Sequence, residues 1–209
     1  MIKKGIFGGT FDPIHIGHIY IAQEAIWKLG LEKLMIMPSG NPPHKRNKHI
    51  TEGKLRYEMA KQAVKDRDGM EVSDYEIKKE EFSYTFQTIE YFNEKDGNNT
   101  EWYFICGCDC LFDLDKWKNV DRIMQGCTLA VFKRSGYSLE EIHAKKKEVE
   151  EKYKKDILFL DIPLLEISST YIRKCIGENK NISFFLPEGV QEIINKNELY
   201  KKEEDIDVE

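Results

Sequence analysis

No apolar run in this sequence approaches the roughly 18–20 residues that a helix needs to cross a bilayer. Residues 1–9 (MIKKGIFGG) reach glycines before an apolar stretch long enough for a signal peptide can form. No membrane partner is therefore predicted, and a cytoplasmic location is expected. Positive charge is not in excess either. The 32 Lys and Arg stand against 37 Asp and Glu, a formal net charge of −5. Gripping duplex nucleic acid through phosphate attraction needs the opposite balance, so no nucleic-acid partner is expected. Cysteine is sparse and odd in number, 5 in 209 residues, whereas small secreted scaffolds use dense, even sets. Cys106, Cys108, Cys110, Cys127 and Cys175 are expected as reduced thiols. Cys106-Gly-Cys-Asp-Cys110 invites a metal reading, but no second cluster at zinc spacing follows and no Cys or His pair completes a tetrahedral set. Small buried hydrophobes are the expected role. Internal repeats, low-complexity blocks and linkers are missing too. Residues 1–200 are expected to form a single domain, followed by an acidic, frayed tail at 201–209.

What is present is a globular composition, 41% hydrophobic and 33% charged. Short apolar runs at 2–7, 34–37, 101–106, 128–133 and 157–160 read as buried strands, with a further strand inside 71–81. Helical spacing connects them. Ile19, Ala22, Ala25, Ile26 and Leu29 recur on one face, and Gly30 stops that helix. Further helices are predicted from Thr51, as N-cap, to about Asp66, and over 85–95, 139–155, 168–176 and 187–196, with 109–124 helical or mixed. Strands separated by helices predict an α/β, Rossmann-like doubly wound, mostly parallel sheet with helices on both faces. Ligands on such sheets sit beyond the carboxyl ends of the strands, where strand order reverses. The loops after the strands are the places to look.

Gly8-Gly-Thr-Phe-Asp-Pro-Ile-His-Ile-Gly-His18 follows the first strand. Gly8 and Gly9 let a ligand approach the backbone where a Cβ would clash, and the N–H groups of Thr10 and Phe11 can face an anion. His15 and His18, three apart at a helix start, point to one side. A helix N-terminus favours negative charge, so two imidazoles beside it make a phosphate clamp. Neither the GxGxxG nor the GxxxxGK[ST] pattern occurs here. The stretch resembles the (T/H)xGH signature of the nucleotidyltransferase superfamily, enzymes that join a nucleoside monophosphate to a phosphate-bearing partner and release pyrophosphate.

At the other end of the chain, Ile167-Ser-Ser-Thr-Tyr-Ile-Arg173 opens the last-but-one helix. Ser168 or Ser169 can cap it. The hydroxyls and free N–H groups of its first turn, Thr170 included, form a second anion site, to which Arg173 adds a charged fork. This run resembles the ISSTxIR motif of the same superfamily, which binds the outer phosphates of ATP.

Between these ends, Asn41-Pro-Pro-His-Lys45, Ser83-Tyr-Thr-Phe-Gln-Thr88, the Gly107-Cys-Asp109 turn, Trp117 and Lys133-Arg-Ser-Gly136 lie after or beside strands. With the end motifs, over residues 2–200, they are similar to bacterial nicotinate-nucleotide adenylyltransferase. The resemblance implies a fold of nucleotidyltransferase type, with ATP and nicotinate mononucleotide as partners. His15, His18 and Arg173 are implied as catalytic. ATP would be held by these three with Gly8, Gly9, Thr10, Phe11, Gly107, Asp109, Ile167, Ser168, Ser169 and Thr170, Asp109 accepting from ribose hydroxyls. The acceptor side is expected at Asn41, His44, Lys45, Thr85, Trp117 and Arg134. His44 and Lys45 suit a monophosphate, and Trp117 offers a flat face to a pyridine ring. Thr85 offers a hydroxyl and N–H to a carboxylate, favouring nicotinate over neutral nicotinamide. Mg²⁺ is expected as the cofactor, brought with ATP, with no metal ligands from protein side chains. A homo-oligomer is compatible with this reading.

One departure stands out: Arg134-Ser-Gly136 replaces the family's usual Arg-Pro-Gly. Rival readings are an adenylyltransferase with a nicotinamide mononucleotide or phosphopantetheine acceptor, a nucleotide-binding module without turnover, and a thiol-based metal or redox protein. The Pro-Pro-His-Lys loop and the Ser-Tyr-Thr run argue against phosphopantetheine. A module without turnover has no need of both histidines and Arg173.

Overall fold

The alternation of apolar runs and amphipathic helices resolves into a six-stranded sheet, wholly parallel, in the order β3-β2-β1-β4-β5-β6. The structure, a computed structural model, describes residues 1–40, 50–163 and 165–201. Its strands are β1 (Ile2–Gly9), β2 (Lys33–Pro38), β3 (Met70–Val72), β4 (Thr100–Gly107), β5 (Thr128–Phe132) and β6 (Leu158–Leu160). Its α-helices are α1 (Ile16–Leu29), α2 (Gly53–Val64), α3 (Thr85–Asp96), α4 (Cys108–Phe112), α5 (Val120–Gly126), α6 (Leu139–Tyr153), α7 (Ser169–Gly177) and α8 (Val190–Lys196). Most elements fall where periodicity places them, and α1 ends on Gly30 in the left-handed region, φ 64°. Thr51 does not cap α2. Glu52 occupies that position without a side-chain cap. The Thr51 backbone instead serves tertiary contacts, its N–H donating to Asp12 and its carbonyl accepting from Arg56.

Both faces of a parallel sheet are covered, so its strands read as near-continuous apolar runs and alternate residues feed two cores. Phe7, Leu34, Ile36, Ile105 and Phe132 pack under α1, α2, α7 and α8. Ile6, Phe104, Cys106, Leu129 and Val131 pack under α3, α4, α5 and α6. Ile105, fully buried in the second-most central strand, reports on the first core. Ile105→Ala is expected to cost about 2–5 kcal/mol of unfolding free energy through lost burial and the cavity left behind. Urea denaturation followed by circular dichroism measures it.

β1 pairs with β2 on one side and β4 on the other. Strand order reverses between β1 and β4, so the crevice predicted for a ligand opens where residues 10–15 and the start of α4 leave the sheet.

Candidate active site

His15 occupies the N-cap of α1, and His18 lies one turn in. Their rings stack with centroids 3.7 Å apart, and Phe11 meets His18 edge-on at 4.9 Å. The His15 backbone N–H donates to His18 Nδ1 at 3.2 Å. A nitrogen that accepts cannot also carry the proton, so neutral His18 holds its hydrogen on Nε2 and presents it as a donor. Burial lowers the His15 pKa from 6.5 to about 4, and the Arg134 charge adds to the effect. His18 is pushed well below 6.5 by burial, then by His15 and Arg134. Both rings are therefore uncharged at neutral pH. His15 Nδ1 is buried and faces the His18 backbone N–H, in a capping-box arrangement at the start of α1.

The second anion motif is fastened to the first. Ser169 Oγ donates to the Pro13 carbonyl at 2.9 Å, and Arg173 Nη1 donates to the Asp12 carbonyl at 2.6 Å. Ser168, not Ser169, caps α7 by accepting from the Tyr171 N–H. Arg173 Nη2 donates to Thr170 Oγ1 at 3.3 Å. Ile167 sits half-buried just before the cap. The two motifs predicted to grip one triphosphate thus meet in space.

On the far side of the crevice Gly107 ends β4 and Asp109 lies in α4. A Cβ at Gly107 would displace Asp109 Oδ1 and the Arg134 side chain from their present positions. Asp109 Oδ2 pairs with Arg134 Nη1 at 3.0 Å, while Oδ1 is buried and unpartnered. Arg134, expected on the acceptor phosphate, thus stands beside Asp109 with its charge felt by both histidines. Gly8 and Gly9 end β1, and Thr10 and Phe11 follow, Phe11 at φ 50°. Thr85 is the first residue of α3, after an N-cap at Tyr84. Trp117 is half-buried, edge-on to Phe104 at 6.0 Å. Asn41, His44, Lys45 and the 202–209 tail lie outside the described residues. The five cysteines are free thiols, with Cys106, Cys108 and Cys175 buried.

Four residues that motif reading passes over organise this region: Asp12, Arg56, Glu76 and Tyr200. Tyr200 OH donates to Asp12 Oδ1 at 2.6 Å, and the Thr51 N–H to Asp12 Oδ2 at 3.3 Å. Arg56, only 2% exposed, donates to the carbonyls of Thr51, Thr10 and Ser39, each at 2.8 Å. The signal was there: Arg56 shares a helix face with the buried Met59, Ala60 and Ala63, a charge where the pattern calls for an apolar side chain.

A parallel sheet in this order, with paired imidazoles on the loop that leaves its central strand and an arginine brought back onto that loop, defines a nucleotidyltransferase. The cytidylyltransferase-like family model matches residues 6–175. A probable nicotinate-nucleotide adenylyltransferase of Clostridium novyi is 51% identical over 201 residues, spanning 96% of this chain and 100% of the relative. Its counterpart in Clostridium kluyveri is 52% identical over 204 residues, with the same coverage. Among solved structures, the Plasmodium falciparum nicotinic acid mononucleotide adenylyltransferase complexed with NaAD superposes with a TM-score of 0.77. It is 21% identical, over 96% of this chain and 98% of that one. The chain belongs to the nicotinate-nucleotide adenylyltransferase family.

Proposed function

We propose that this enzyme transfers AMP from ATP to nicotinate mononucleotide, forming nicotinate adenine dinucleotide and pyrophosphate. The observation that carries the reading is the junction of the two phosphate motifs, through Arg173 to Asp12 and Ser169 to Pro13. Relatives at about half identity carry the same activity in their names.

An oxygen of the acceptor phosphate attacks the α-phosphorus of ATP. The bond from that phosphorus to the α–β bridging oxygen breaks, and its electron pair leaves with pyrophosphate. The acceptor is already an oxyanion, so no general base has to create it. The protein holds two anions in line and offsets the charge that builds on the leaving group. His18 Nε2–H and His15 serve the α-phosphate as uncharged donors. Arg173 and the turn at Ser168, Ser169 and Thr170 serve the β and γ oxygens. Asp109 Oδ1 accepts from a ribose hydroxyl. Thr85 faces the nicotinate carboxylate, and Trp117 faces the ring. Mg²⁺ bound with ATP would supply charge neutralisation at the triphosphate, held by phosphate oxygens and water rather than by protein side chains. Among the described residues no group of three or more His, Cys, Asp or Glu side chains could hold a metal ion.

Pyrophosphate release with ATP and Mg²⁺ tests this directly, with nicotinate and nicotinamide mononucleotides compared side by side. A hydrogen bond to a charged group is worth about 1.5–3 kcal/mol, so kcat/KM should favour nicotinate roughly 10- to 100-fold. Equal rates would remove the role given to Thr85. No release with either acceptor would favour a binding module without turnover.

A further inference from the structure

Arg56 is a fully charged group in an unusual place. Its side chain lies in the first turn of α2, 2% exposed, and its hydrogen-bonding partners are carbonyls. Those carbonyls come from three separate stretches of backbone. Thr10 belongs to the loop after β1, which carries the ATP motif. Ser39 follows the end of β2, and Thr51 precedes α2. A planar guanidinium presents donors in fixed directions, so three simultaneous contacts fix three backbones relative to one another.

The site's other buried charges brace the same points. Asp12 takes the Thr51 N–H on one carboxylate oxygen and the Tyr200 hydroxyl on the other. The backbone carbonyl of Asp12 takes Arg173. Glu76 receives the Gly40 N–H and, at 2.8 Å, the Thr88 hydroxyl of α3, the helix that begins with Thr85. Asp12 and Glu76 also supply the negative charge near the buried guanidinium. A continuous chain of contacts thus runs from Arg173 on the triphosphate side, through Asp12, Thr51 and Arg56, to Ser39 on the acceptor side.

We propose that Arg56 is a positioning residue for the transfer: by binding the carbonyls of Thr10, Ser39 and Thr51 it sets the acceptor side of the site against the ATP loop. Gly40, next to Ser39, is tied through Glu76 and Thr88 to α3, the helix that opens with Thr85. Without the guanidinium, Ser39 and Thr51 have to be ordered by the acceptor itself. Ordering one residue's backbone on binding weakens affinity roughly 5- to 30-fold. The grip on ATP depends less on Arg56, because Arg173 and Ser169 reach the β1 loop independently.

The inference rests on the acceptor being nicotinate mononucleotide, and the wild-type enzyme is the control for that. If wild type makes no dinucleotide from ATP and this acceptor, the function assigned above fails. Given an active wild type, Arg56→Gln and Arg56→Lys are assayed well below their unfolding temperatures, with rates expressed per folded molecule. Lysine keeps the charge and most of the volume, so Arg56→Lys carries the test should Arg56→Gln fail to fold. Expected is a rise in KM for the acceptor of about tenfold in Arg56→Lys, and more in Arg56→Gln. The Kd for a non-hydrolysable ATP analogue, measured by calorimetry without acceptor, should stay within about threefold. KM for the acceptor within twofold of wild type in the folded variant would overturn the proposal. So would equal weakening of acceptor and ATP analogue, which is what a general loosening of the fold produces.

Discussion

Replacing His18 or His15 with alanine should lower kcat by a factor on the order of 10²–10³, the usual loss when one well-aimed donor to a developing charge is removed. His18 also packs edge-on against Phe7 and Phe11 of the first core, so rates are expressed per folded molecule. Steady-state pyrophosphate release, with far-ultraviolet circular dichroism as the folding control, measures the loss. Turnover within a few-fold of wild type would end the role given to the pair. The same rings set a pH signature. Unfolded, the His15 imidazole titrates at 6.5; folded, it resists protonation until about 4. A depressed folded pKa contributes stability above the unfolded value and loses it as pH falls toward the folded one. His15 therefore contributes about 3 kcal/mol near neutrality, lost between roughly pH 6.5 and 4. His15→Ala should flatten that part of the stability profile of the ligand-free enzyme. Activity should show no histidine-like break near pH 6.5 from either ring.

Arg173→Ala is expected to reduce kcat/KM for ATP by about 10²-fold or more. The variant removes the charged fork proposed for the outer phosphates and also the 2.6 Å contact that draws α7 onto the Asp12 carbonyl. Arg173→Lys keeps the charge without the fork and should recover only part of the loss. If Arg173→Lys matches wild type, charge alone suffices and the geometric role of the guanidinium is wrong. An unchanged KM for the acceptor in both variants would place the defect on the ATP side, in line with the role proposed for Arg173.

The sheet and the two end motifs that meet at its carboxyl edge were legible because their signals are local. Buried parallel strands are continuous apolar runs, and Gly30 stops a helix by its own backbone freedom. The histidine pair and the Ser-Ser-Thr turn announce themselves by spacing within a single helical turn. The buried polar scaffold was not legible, because its partners are dispersed. Arg56 binds carbonyls, which every residue type possesses, so nothing in the identities of Thr10, Ser39 and Thr51 points to it. Asp12 and Tyr200 lie 188 residues apart. Thr51 looked like a cap because threonine caps helices in isolation; here tertiary partners claim its backbone instead. Asp109 and Arg134, read separately as nucleotide and acceptor contacts, turn out to be each other's ion pair.

The placement of β1 decides where this protein can be handled from outside. The strand is 8 residues long and begins at Ile2, which leaves Met1 roughly 25 Å from the nucleotide crevice at the opposite rim of the sheet. Tyr200, by contrast, is fastened to Asp12 in the loop after β1. A fluorophore or immobilising handle attached ahead of Met1 is expected to be silent in an assay. The same group attached at Lys201, next to Tyr200, would tug on the loop that presents the imidazoles.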